Sequence, residues 1–190
     1  AGVMPDSVPA SEVYSCAQLI GREEVGTGAD WALIKLDRPV TNHAVLKYNT
    51  ADTLKNGDPL LVIGHPAGLP TKVAGGATVR NINKPGYFVA NLDTYGGNSG
   101  SAVFNARTHV IEGILVRGEN DYVWKGNCRV SNVCASDGCR GEDVTKLSAI
   151  TATIPTRALP ELARRVENPD YQVAGNFPAY QLLESLTGLN

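Results

Sequence analysis

Short runs of alternating apolar and polar positions, closed off by Gly, Pro or Asn, dominate the chain, and a period of two is the signature of half-buried strands. Residues 14–24 and 31–36 read as two such strands, parted by Gly26-Thr27-Gly28. From 37 to 59 the pattern turns polar, with Asn42, Asn49, Asp52, Asn56, Gly57 and Asp58, and predicts a surface connector. Strand signals then return over 60–64, 72–82, 87–92, 101–104, 110–117 and 146–154. Six strands at such short intervals predict a closed antiparallel barrel or a sandwich. Beyond Pro155 the period changes. Leu159, Leu162 and Val166 recur at helical spacing, and Pro160 fits a helix only in its first turn, so a helix is expected to begin near Leu159, with a second helical stretch over 179–186.

Composition narrows the class. A chain of 190 residues, 43% hydrophobic and 19% charged, has the apolar material for a sizeable core in one large domain or two small ones. Twenty Gly and eleven Pro add to the turn-rich, all-β picture. The formal net charge of -2, with no long run of either sign, leaves no electrostatic footprint for nucleic acid or an anionic membrane. No apolar stretch approaches the roughly 20 residues of a membrane-spanning helix. The opening Ala1-Gly2-Val3-Met4-Pro5-Asp6 has neither the basic nor the apolar region of a signal peptide, which a processed chain would have lost. Cys16 stands alone, whereas Cys128, Cys134 and Cys139 crowd together among Asn, Ser, Asp and Gly. Without a Cys-x-x-Cys pair or a neighbouring His, this spacing favours a disulfide-stapled surface loop over a zinc site, with the pairing left open. Disulfides in turn imply an oxidising compartment, secreted or periplasmic.

Candidate chemistry is concentrated in Leu92-Asp93-Thr94-Tyr95-Gly96-Gly97-Asn98-Ser99-Gly100-Ser101-Ala102-Val103-Phe104. A serine between glycines, at the entry to a strand of small and apolar residues, suits a tight turn that exposes its hydroxyl and frees neighbouring N–H groups to converge on an oxyanion. By itself Gly-x-Ser-Gly favours a plain glycine-rich hairpin turn. The longer string resembles the nucleophile motif of the chymotrypsin/trypsin-like serine proteases, in particular the V8-like (glutamyl endopeptidase-like) bacterial branch with its Gly-Asn-Ser-Gly-Ser. Asp30-Trp31-Ala32-Leu33-Ile34-Lys35-Leu36, followed by Pro39-Val40, resembles the Asp-led strand of the same family, and Ile63-Gly64-His65-Pro66 lies between the two motifs.

The resemblance implies a serine endopeptidase that works through an acyl-enzyme on polypeptide substrates, with no metal and no organic cofactor. Its fold is all-β, two six-stranded antiparallel β-barrels. The chain would then hold the C-terminal part of a first barrel (1–38), an inter-barrel connector (39–58), a second barrel (59–155) and a C-terminal helical tail (156–190). Ser99 falls at the nucleophile, Asp30 at the carboxylate that orients the general base, and the N–H groups of Gly97 and Ser99 at the oxyanion hole. Asp93, Thr94, Val116 and Gly118 fall at substrate-binding positions. Asp93, six residues before Ser99, stands where trypsin carries the carboxylate at the base of its specificity pocket, which favours Arg or Lys at the cleavage site. Leu115 stands where glutamyl-specific enzymes place a His, which weakens an acidic preference. Val116 replaces a Ser that usually helps to hold the catalytic carboxylate, and Asn98 replaces an Asp that animal enzymes pair with a new N-terminal amine.

The general base is missing from this pattern. The family's His precedes its Asp, yet His43, His65 and His109 all follow Asp30, in the connector, at a strand end and in a turn. We therefore expect the His, with the missing strands of the first barrel, on an N-terminal segment outside these 190 residues that stays associated. The alternative is a non-catalytic protease homologue or processed fragment that acts as a binding module.

Overall fold

The computed structural model describes residues 6–153 apart from 25, 27 and 152. The helical tail expected over 156–190 lies outside the described residues. The chain divides into two units, Ala1–Arg38 with Leu46–Pro155, and Pro39–Val45 with Thr156–Asn190; every element below belongs to the first.

Strands β1 (Cys16–Glu24) and β2 (Asp30–Leu36) pair antiparallel as a two-stranded sheet of their own. Their outer edges pair with no other strand among the described residues, and Leu19 and Ile34 stay exposed on them. Arg38 ties the segment before β1 to the end of β2. Its guanidinium donates to the carbonyls of Ala10, Ser11 and Val13 and pairs with Asp37 at 3.1 Å.

Further along the chain come β3 (Pro59–Gly64), β4 (Lys72–Lys84), β5 (Tyr87–Ala90), β6 (Ala102–Asn105) and β7 (Ile111–Arg117), then a separate hairpin of β8 (Tyr122–Lys125) and β9 (Cys128–Ser131), then β10 (Glu142–Lys146). Six of these close an antiparallel barrel in the order β10-β5-β4-β3-β6-β7, with β7 pairing back onto β10. Alternation along the strands sends Leu60, Val62, Val79, Phe88, Val103, Leu115 and Val144 into one core, so the barrel is filled by side chains and is not a pore. Each Val, Leu or Phe so buried contributes about 1.5–3 kcal/mol.

Five of the six barrel strands lie within two residues of the boundaries that the polar and apolar pattern predicts. The sixth does not. A strand is expected over 146–154, but β10 ends at Lys146, and Ser148–Thr151 form a short helix, α1. Val144 is the apolar residue that β10 gives to the core, and its neighbours Asp143 and Thr145 are buried through partners distant in sequence. Ile150, which suggested a strand, packs instead with Ala29 and Trp31 in a second cluster fringed by Leu33, Ile114 and Leu147. In the cysteine-rich segment Cys134 and Cys139 form the disulfide, while Cys128 and Cys16 are exposed free thiols. The two tryptophans differ sharply: Trp31 is 8% exposed, its indole N–H donating to Glu23, and Trp124 is 72% exposed on β8. Among the described residues no helix is long and apolar enough to cross a membrane, and no group of His, Cys, Asp and Glu is arranged to hold a metal ion.

Candidate active site

Ser99 sits on a turn between β5 and β6 that depends on its glycines. Gly97 and Gly100 adopt φ of +94° and +90°, in the left-handed region where a side chain is strained. The turn is anchored on both sides: Gly100 N–H donates to the Leu115 carbonyl at 2.7 Å, and Ala67 N–H donates to the Gly96 carbonyl at 2.7 Å. Within it, Ser101 N–H closes onto the Asn98 carbonyl at 2.9 Å. Ser99 itself is exposed, and its hydroxyl makes one long contact, donating to the Val116 carbonyl at 3.4 Å. The N–H groups of Gly97 and Ser99 have no acceptor among the described residues, so both remain available to an external one. Asn98 is buried behind the turn, and its Oδ1 has no donor.

Asp30 is the first residue of β2. It lines a groove of about 490 Å³ together with Arg22, Glu24, Ser99, Gly100 and Val116. Asp93 and Thr94 lie elsewhere, in a cavity of about 410 Å³ that they share with Arg80, Glu119, Asp121 and Glu142. No residue lines both the groove and this cavity, and Gly97 and Gly118 line neither. Of the residues singled out from the sequence, the structure thus brings Asp30, Ser99 and Val116 to one surface and Asp93 with Thr94 to another.

No histidine lines the groove. At His65, Nδ1 lies 3.1 Å from the Leu69 carbonyl and Nε2 lies 3.3 Å from the Thr71 hydroxyl. A carbonyl only accepts, so Nδ1 carries the proton and Nε2 accepts from Thr71, which engages both ring nitrogens locally. His109 holds a left-handed turn conformation, φ +57°, at the head of β7.

Three residues that sequence reasoning passed over matter here. Glu142 packs its carboxylate directly against Gly118, where an added Cβ would collide with it, and accepts the Glu119 N–H at 3.3 Å. Burial pushes its carboxyl above the ordinary range and the charge of Asp121 adds to this, against the opposing pull of the Glu119 N–H, the Thr94 side chain and Arg140. Thr145 on β10 and Arg117 on β7 bond the backbone at and just before Asp30. Nothing in the local pattern marks Thr145 or Arg117, because their partners lie 115 and 89 positions away.

The fold and the family comparison place the protein among the trypsin-like peptidase domains. The family model of the trypsin-like peptidase domain matches residues 7–114, more than half of the chain. The chain belongs to that family. Among solved structures it is similar to the serine endoprotease from Yersinia pestis, at 20% identity and a TM-score of 0.50 over 77% of this chain and 44% of that one. It is similar also to kallikrein-related peptidase 10, at 17% identity and a TM-score of 0.51 over 80% of this chain and 73% of that one. A further similar structure is that of Rv3671c from M. tuberculosis H37Rv, at 13% identity and a TM-score of 0.44 over 80% of this chain and 65% of that one. The chain spans less than two thirds of the Rv3671c and Yersinia pestis chains. At these identities the likeness is one of fold. A search of curated proteins finds no match to the sequence.

Proposed function

We propose that this protein is a serine endopeptidase that hydrolyses peptide bonds through an acyl-enzyme, nearest in its Gly97-Asn98-Ser99-Gly100-Ser101 string to the V8-like bacterial branch. The observation that carries the reading is the single groove shared by Asp30 and Ser99. The Ser99 oxygen attacks the scissile carbonyl while a histidine takes its proton; the leaving amine departs with that proton, and water then releases the acyl group from Ser99. Asp30 fixes the tautomer of the histidine and stabilises its cationic form. The N–H groups of Gly97 and Ser99 receive the oxyanion, where one donor is worth about 2.7–4 kcal/mol.

Val116 and Gly118 pair with the substrate backbone along the end of β7. Asp93 and Thr94, although their cavity is separate from the groove of Asp30 and Ser99, take the side chain at the cleavage site in this reading. The carboxylates of Asp93, Glu119, Asp121 and Glu142 in their cavity, against the single guanidinium of Arg80, favour a basic one.

In this reading residues 1–38 belong to a first barrel, 39–58 are a connector and 59–155 the second barrel. The catalytic His comes from a segment N-terminal to these residues, seated on the open edges of β1 and β2. The edges left unpaired among the described residues, the exposed Leu19 and Ile34 and the groove without a histidine support that placement. The Cys134–Cys139 disulfide supports a secreted or periplasmic protein. A second reading, a non-catalytic homologue that binds polypeptides, draws on the Ser99 hydroxyl being turned to the Val116 carbonyl with no base beside it.

Labelling of the natural protein with a fluorophosphonate separates the two. The expected result is one adduct, at Ser99, absent in Ser99→Ala, with peptidase activity lost by several orders of magnitude in that variant. A protein that takes no label under conditions that label trypsin is the non-catalytic homologue.

A further inference from the structure

A catalytic carboxylate acts only if it is held still, and Val116, beside Asp30 on the groove, has no side-chain donor to offer it. The barrel instead grips the backbone of Asp30. Thr145, 0% exposed on β10, accepts the Asp30 N–H at 2.9 Å and donates its own hydroxyl proton to the Asp30 carbonyl at 2.9 Å. One hydroxyl thereby satisfies both main-chain groups of a single residue. Two residues before Asp30, the Gly28 carbonyl accepts from Nη2 of Arg117. That guanidinium is itself fixed, since its Nε donates at 2.9 Å to Oδ2 of Asp143, which is 1% exposed and also receives Arg140 Nη2 at 2.5 Å.

The sequence spacing explains how β10 does this. Asp143 and Thr145 share the face of the strand opposite Val144, so one residue fills the barrel while its two neighbours reach outward to Arg117 and to β2. These three bonds, all ending at Gly28 or Asp30, join the β1–β2 side to the barrel. The apolar cluster of Ala29, Trp31 and Ile150 packs at the same place but sets no direction.

We propose that Thr145 and Arg117, the latter locked by Asp143, are positioning residues for Asp30 that set where its carboxylate stands relative to Ser99. The inference rests on the peptidase reading for its kinetic consequence, but the clamp itself is open to test without activity.

The experiment compares Thr145→Val, which keeps the shape and removes both bonds, with Thr145→Ser, which keeps the hydroxyl, in the full natural protein. In Thr145→Val, kcat is expected to fall about ten- to a hundredfold while KM stays within about twofold. The acidic limb of the kcat/KM profile moves to lower pH, because a displaced carboxylate stabilises the imidazolium less. Thr145→Ser restores kcat to within about threefold. Arg117→Lys keeps a charge for Asp143 but loses the fork that also reaches Gly28, and shows the same pattern should Thr145→Val fail to fold. A folded Thr145→Val, or failing that Arg117→Lys, with unchanged kcat and pH profile and only a lower thermal midpoint overturns the proposal. Amide exchange at Asp30 separates the clamp from the chemistry: the N–H is expected to exchange at least about tenfold faster in Thr145→Val than in the wild type. Equal exchange overturns the clamp even in a protein that takes no fluorophosphonate, whereas slow wild-type exchange without labelling refutes only the peptidase reading.

Discussion

Glu142 illustrates how one side chain couples the cavity to stability. Its carboxylate lies against Gly118, with Asp121, Glu119 and Arg140 around it and Asp93 lining the same cavity, and burial is the main reason that it holds its proton above the ordinary range. The folded state therefore binds this proton more tightly than the unfolded state, whose reference lies at 4.5. The resulting stabilisation is complete below that pH and is lost as the pH rises through the folded-state value. Glu142→Gln removes the titration. Its thermal midpoint, measured against wild type, is expected to gain as the pH rises from 4.5 through the folded-state value. A difference between the two proteins that stays flat over that range would show that the carboxylate is well solvated after all. At the same scale the turn that carries Ser99 was legible from its glycines, because φ near +90° at Gly97 and Gly100 is a demand that sequence states openly.

At the level of strands, the closure of the barrel depends on a glycine. Gly113 on β7 lies so close to β10 that a Cβ there would strike the Thr145 carbonyl oxygen and come within 2.6 Å of Val144 Cγ1. Gly113→Ala is expected to destabilise the protein by about 1–3 kcal/mol, read from the midpoint of urea unfolding, and an unchanged midpoint would mean that β7 and β10 separate freely. The partner strand of this seam is also the one that the pattern of residues misplaces. Strands β3 to β7 are legible because their apolar positions alternate and their ends carry Gly, Pro or Asn. In β10, Val144 is flanked by Asp143 and Thr145, which look like surface residues until Arg117, Arg140 and the backbone of Asp30 are brought to them. The β8–β9 hairpin escaped for the opposite reason. Its side chains are exposed on every residue, so no buried face imposes a period, and only the left-handed Gly126 marks its turn. The meeting of Asp30 and Ser99 on one groove followed from family resemblance, since no local pattern relates a residue of β2 to a turn 69 positions on.

Over the whole described chain, the two tryptophans stand in opposite surroundings, one buried in the wall of the groove next to Asp30 and the other exposed on the β8–β9 hairpin. The protein thus carries two tryptophan fluorophores that report on different regions. Acrylamide should quench the emission in two distinct populations, and Trp124→Phe should leave a single, blue-shifted and protected one. A steady-state titration that still shows an easily quenched tryptophan in Trp124→Phe would mean that the wall of the groove opens to solvent. In the Trp124→Phe background, a polypeptide entering the groove changes the colour of the remaining emission, which makes occupancy of the site visible without any substrate being cleaved.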